Sequence, residues 1–221
     1  ALMLPSFPGL MVEALTTAQV QALSATQLKA MTSAQIAAME LVDVAVLSVA
    51  GLTTTQLMAM TTSAIAALTS DELAALTTTQ LRGLSSAAID ALDATRISAL
   101  STTQLAALTT TQVKGFDEEI IGLLTGTRLA ALTSTQLSGL TAEQLGHLST
   151  TQIAALTTTQ ARGLTAAMLG TLATTQVAAL GAEQLAGLTT TQIAGLASTQ
   201  VAALSPTRLA DLAPPQLAAL S

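Results

Sequence analysis

A bulky apolar residue returns every eight positions along almost the whole chain. Leu68, Leu76, Leu84, Leu92, Leu100 and Leu108 are followed by Phe116, Leu124 and Leu132, and the series runs on to Leu212 and Leu220. A second apolar residue stands five positions after each, as in Leu73, Leu81, Ile89, Ile97, Leu105 and Val113. Gln usually precedes that second position, as at Gln80, Gln104, Gln112, Gln152 and Gln192. The consensus is Leu-[Ser/Thr]-x-x-Gln-[Ile/Leu/Val]-x-[Ala/Gly]. The 221 residues hold 26 full octads and one short one, with no linker and no shift of composition between them. We therefore read residues 1–221 as one array. A period this short rules out an ordinary globular domain and points to a repeat architecture.

Eight residues do not suit one continuous helix. At 3.6 residues per turn, each octad carries the apolar stripe about 80° further around the axis, and no face stays buried. Nor do they suit a strand, because spacings of five and three break strict alternation, and Ala and Gln are poor strand formers.

A chain of short helices fits every position. Ser or Thr followed three residues later by Gln or Glu is a capping box, and an apolar residue before the cap pairs with one at the fourth helical position as a hydrophobic staple. In Leu100-Ser101-Thr102-Thr103-Gln104-Leu105, Ser101 is the N-cap, Gln104 is N3, and Leu100 and Leu105 form the staple. Exceptions keep the logic. Asp93 and Asp117 are caps of equal quality, Glu118 and Glu119 lie where the helix dipole favours acids, and Pro206 and Pro214 fall at N1, where proline is tolerated. One octad cannot offset the entropy of its own ordering, so neighbours must share buried faces. The expected fold class is all-α, a solenoid of short capped helices with one helix per octad.

TTTQ recurs at 53–56, 77–80, 109–112, 157–160 and 189–192. The last four are spaced by multiples of 16, and Gly83, Gly115, Gly163 and Gly195 follow at one phase. The simplest geometry for this is two octads per coil, with Gly where coils pack closest. Duplication of a 16- or 32-residue unit gives the same spacing. The octads from Phe7 to Leu47 are out of phase with the later ones, because three residues are missing at 47–52. A kink, a tighter turn or a change of side is expected there.

Composition excludes several function classes. Charged residues make up 9% of the chain, against roughly 25% in ordinary soluble domains. The net charge is −6 and the few bases are scattered singly, so nucleic-acid binding is not expected. Thr, Ser and Gln are left to solvate the surface. No run of 18 apolar residues occurs, so no membrane-spanning helix is expected. Residues 1–14 lack the basic start and long apolar run of a signal peptide. The chain begins with Ala and stops in mid-pattern at Ser221, as a piece of a longer array does. There are no cysteines, which removes disulfides and thiolate metal sites but leaves the compartment open.

No constellation for chemistry emerges. His147 is the one histidine and has no partner ligand in the sequence. Asp117-Glu118-Glu119 lacks the spacing of a calcium loop and reads as cap plus first-turn acids. Asp71, Glu72, Asp90 and Asp211 read as isolated solvent-facing acids. No base is placed beside a hydroxyl nucleophile, and Met31, Met39 and Met60 occupy Leu positions as core substitutes. The expectation is a protein that is not an enzyme, with no catalytic, metal or cofactor site.

The run LSTTQIAALTTTQ, residues 148–160, resembles tracts of very large secreted or surface repeat proteins of proteobacteria, labelled adhesins or haem-utilisation proteins. That resemblance covers most of the chain and transfers no functional residue. It implies a structural segment of an extracellular filament or surface adhesin, with further copies or flanking repeats stacked end to end as partners. Surface recognition through repeated Thr and Ser hydroxyls, with ice as a ligand, is a second reading, and a protein-binding solenoid a third.

Overall fold

The structure is a computed structural model that describes residue 12 and residues 14–220. The octad that starts at Phe7 therefore lies largely outside the described residues. Among the described residues there are 25 α-helices of four to six residues, one 3-10 turn at Val49–Gly51, and no strand. The chain divides into two units, residues 1–115 and 116–221, and each is taken by itself.

Each octad builds its helix as the pattern predicts. Ser101 is extended (φ −66°, ψ 162°) and its hydroxyl accepts the Gln104 amide at 3.2 Å, while Gln104 Oε1 accepts the Ser101 amide at 2.8 Å. At the other end, Leu108 is extended again (φ −58°, ψ 146°), so that residue and the next cap together turn the chain. No described residue has a positive φ, and the corners need no glycine. Asp93 and Asp117 cap their helices, accepting the amides of Arg96 and Ile120 at 2.8 Å, and Pro206 and Pro214 stand at N1.

The number of octads per coil differs from the sequence expectation. In unit one, α3 (Ser33–Ala37) packs on α5 (Thr54–Ala59), α5 on α8 (Thr78–Gly83), and α8 on α11 (Thr102–Ala107). A second column runs through α6 (Thr62–Ala66), α9 (Ser86–Asp90) and α12 (Thr110–Val113). A third joins α7 (Ser70–Ala75) to α10 (Ala94–Ala99). In unit two, α14 (Gly126–Ala131), α17 (Thr150–Ala155), α20 (Thr174–Ala178) and α23 (Ser198–Ala202) form one column. There, α16 (Ala142–Gly146), α19 (Ala166–Thr171), α22 (Thr190–Ala194) and α25 (Pro214–Ala218) form another. Each coil holds three octads, and the expectation of two is corrected. The 16-residue spacing of TTTQ is a feature of sequence, not of packing. The two extended residues at each corner swing the chain by a third of a turn, so that an octad meets the third one along.

The short octad keeps its place in this scheme. Val49–Gly51 tightens into a 3-10 turn and packs between α2 (Ala25–Ala30) and α7 as a helix would. An added Cβ at Gly51 would lie 3.3 Å from the Ala25 Cα and the Leu28 Cδ1, and this close approach replaces the missing turn.

The interior is aliphatic. Leu100, Leu105, Leu108, Leu132, Ile153 and Leu156 are buried, as are Met31, Met39, Met60 and Phe116, while Thr102, Thr103, Thr150 and Thr151 are exposed. At Gly163, which ends α18 (Thr158–Gly163), and Gly195, which follows α22, adjacent coils come close. A Cβ on Gly163 would meet Ser134 Cβ at 2.6 Å and its backbone oxygen at 3.1 Å, and one on Gly195 would meet Ala166 Cβ at 2.7 Å.

Candidate functional site

The repeated polar device is the glutamine at N3. The reading of Gln as a surface solubiliser is corrected: Gln56, Gln104, Gln112, Gln152, Gln160 and Gln192 are all buried. Each amide group has two tasks. Gln152 Oε1 accepts the Ser149 amide at 2.7 Å, closing the capping box of its own helix. Its Nε2 donates to the backbone oxygens of Ile121 at 2.7 Å and Leu124 at 2.8 Å. Those oxygens belong to the end of a helix one coil back and to the corner that follows it. A helix end leaves carbonyls without intrahelical partners, and here the next coil supplies the donor.

The arrangement recurs with constant sequence separation. Gln112, Gln160 and Gln192 reach Leu84, Leu132 and Leu164 respectively, each 28 residues back, at 2.7, 2.6 and 2.6 Å. That distance is three octads plus the four residues from the corner Leu to Gln. Across the short octad the corner shifts by the three missing residues, and Gln56 reaches Met31, 25 residues back, at 2.7 Å.

Departures from Gln are informative. Arg96 replaces it in α10, and its Nε donates to Leu68 O, again 28 residues back, at 2.6 Å, while its guanidinium pairs with Asp93. Arg128 stands at the same place in α14, and burial pushes its pKa below the usual value. Glu72 closes its box with Thr69, accepting the Thr69 amide at 2.7 Å, but a carboxylate brings no donor. Ala64, Ala88 and Met168 bring neither.

The sequence contained a signal for this second task. Ala173, Gly181, Ala197 and Ala213 cannot cap with a side chain, yet Gln176, Gln184, Gln200 and Gln216 are kept there. Half of the capping box is gone and the glutamine remains. Its Nε2 still donates to the coil before, from Gln200 to Leu172 O at 2.7 Å and from Gln216 to Leu188 O at 2.7 Å.

Of the titratable residues singled out in the sequence, Asp93 and Asp211 pair with Arg96 and Arg208 three residues away, and His147 meets Glu118 from a different octad. His147 Nδ1 lies 3.1 Å from Glu118 Oε1, beside a shallow open depression also lined by Asp117, Glu119 and Gly122. No group of three or more His, Cys, Asp or Glu that could hold a metal ion exists among the described residues. None of the described helices is long and apolar enough to cross a membrane. In unit two an apolar hollow of about 400 Å³ opens among Ile193, Leu196, Val201 and Leu220.

Residues 12–41, 65–102 and 121–158 match the family model of the ALTTAQ repeat. The three segments cover just under half of the chain and mark it as a repeat protein. No curated protein matches it.

Proposed function

We propose that this chain is a structural, non-catalytic segment of an extracellular filament or large surface adhesin. The observation that carries this reading is the uniformity of the ladder. Gln56, Gln104, Gln152 and Gln192 make the same bonds at widely separated coils. A coil's environment therefore depends on its neighbours and not on the length of the array, which is the property of a body that sets distance. The resemblance to secreted and surface tracts supplies the compartment. The test is protease shaving of intact cells with an antibody against the octads. Loss of the antigen from unbroken cells is expected, and antigen protected until lysis would overturn the reading.

One observation favours surface recognition as a second reading. In unit two, Thr127, Thr151, Thr175 and Thr199 are exposed on successive coils of the column α14–α17–α20–α23, and none of these helices carries a carboxylate. In unit one, Thr55, Thr79 and Thr103 do the same on α5, α8 and α11. The described acids of both units lie on helices or corners outside these columns. A carboxylate-free row of hydroxyls and methyls of this kind, with Arg82 on α8 and Arg128 on α14 as its only charges, suits a regular surface such as ice, and thermal hysteresis in a freezing assay reads that activity directly.

A further inference from the structure

Three octads per coil give a coil three corners, and a glutamine at N3 ties its helix to one corner of the coil before. In unit two all three corners are tied. Gln152 and Gln176 reach Leu124 O and Leu148 O at the first, Gln160 and Gln184 reach Leu132 O and Leu156 O at the second, and Gln144 and Gln192 reach Phe116 O and Leu164 O at the third. Unit one differs around the coil α5–α6–α7. Helix α5 is tied on both sides: Gln56 donates to Met31 O of the coil before at 2.7 Å, and Leu52 O, at the corner leading into α5, accepts from Gln80 of the coil after at 2.7 Å. Helix α7 is tied on one side. Glu72 has no donor for the coil before, but Leu68 O accepts from Arg96 of the coil after at 2.6 Å. Helix α6 is tied on neither. Its N3 residue is Ala64, and the residue in α9 that would reach back to Met60 O is Ala88. The oxygens of Met39 and Met60 accept no hydrogen bond from any described residue. Apolar cover does not follow this asymmetry, since Leu57, Ile65, Leu73, Leu81 and Ile89, one from each helix from α5 to α9, are all 1% exposed or less.

We infer that α6 is a built-in joint of unit one, a helix that leaves the stack and returns while α5, in the same coil, stays tied. Apolar burial is non-directional, so it lets packed helices shift and reseat. A cross-coil hydrogen bond has to break before the coils part, and each such bond makes opening rarer by about two- to tenfold. Local openings are drawn from the least stable segments of a fold, and in the coil α5–α6–α7 the number of ties falls from two at α5 to one at α7 and none at α6. Opening at α6 frees the corners at Met39 and Met60 while the corners at Met31 and Leu52 hold, so unit one bends about the line through Gln56 and Gln80. The inference goes beyond the structural reading and does not depend on it, because it concerns only how the stack yields.

The experiment is native-state hydrogen exchange of the whole chain, with rates corrected for intrinsic exchange chemistry. The amides of Leu57, Ile65 and Leu73 make equivalent comparisons, since each donates to the cap oxygen four residues back, those of Thr53, Thr61 and Thr69. Ile65 should exchange fastest, Leu73 next and Leu57 slowest, with Ile65 about tenfold or more ahead of Leu57 for the two missing ties. Two variants then supply the ties separately. Ala88→Gln gives Met60 O a donor from the coil after, and Ala64→Gln gives α6 a donor toward Met39 O, 25 residues back as Met31 is from Gln56. Each should slow Ile65 by about two- to tenfold, and both should leave Leu145 in unit two unchanged. Circular dichroism of both variants should match wild type, and if one of them fails to fold, the other carries this arm. Ile65 exchanging no faster than Leu57 in the wild type, or a folded variant in which Ile65 is not slowed, overturns the proposal.

Discussion

At the scale of the residue, glutamine at N3 joins what is normally achieved by two groups. Its oxygen completes the N-terminal cap of one helix and its nitrogen completes the C-terminus of another. For Gln152 the partners are Ser149 on one side and Ile121 and Leu124 on the other. Gln152→Ala leaves the buried Leu124 carbonyl without its donor, while the Ile121 oxygen keeps the Leu124 amide, and should cost about 1–3 kcal/mol by urea denaturation, the cost of one lost partner at a buried polar group. Gln152→Glu keeps the cap but buries a carboxylate against carbonyl oxygens, which raises its folded-state pKa above the unfolded value of about 4.3. A raised acid pKa means the folded state holds the proton more tightly, so this variant should lose stability as pH rises through that value and regain it below. Melting temperatures across the acid range check the sign. The reverse change belongs to Ala88, where the oxygen of Met60, 28 residues back, takes no donor. Ala88→Gln should stabilise unit one by about 1–2 kcal/mol.

At the scale of the element, the helices are too short to be stable alone and depend on caps and on the distance to the next coil. Glycine at the last helical position reads in two ways that only packing separates. At Gly163 a Cβ would press into the Ser134 backbone, whereas at Gly146 it would meet nothing within 4 Å. Gly163→Ala should therefore cost about 1–3 kcal/mol through overpacking, and Gly146→Ala should gain about 0.5–1 kcal/mol from helix propensity and a stiffer unfolded chain. Thermal unfolding of the pair checks both signs. The 3-10 turn at Val49–Gly51 shows that what a coil requires is an occupied position, not a complete helix.

At the scale of the whole molecule, each unit is a stack in which a coil touches only its neighbours. Leu156 is 4% exposed, and Leu156→Ala should cost about 2–5 kcal/mol. Since coupling passes only between adjacent coils, hydrogen exchange should quicken in the coils around α17 and stay unchanged several coils away. Uniform acceleration across unit two would instead mean one cooperative block. The low charge content has a consequence at this scale too. With 9% charged residues, stability should change little with salt, because few ion pairs exist to be screened.

Helix starts, caps, core positions and the all-helical class are local properties, and the octad alone determined them. Ser101, Gln104, Leu100 and Leu105 interact within five residues of one another, so their spacing contains the answer. The tighter turn at the short octad was legible for the same reason. The number of octads per coil is a different kind of quantity. It depends on how far two extended residues at each corner, such as Leu108 and Thr109, swing the next helix, and a small change in those dihedrals is summed over every octad. The partner of the glutamine amide depends on that sum, because a donor 28 residues away is in reach only if three octads close a turn. Sequence placed Gln152 at a helix start; only the tertiary structure decided that its nitrogen would face Leu124, since that contact exists only once the coil has closed.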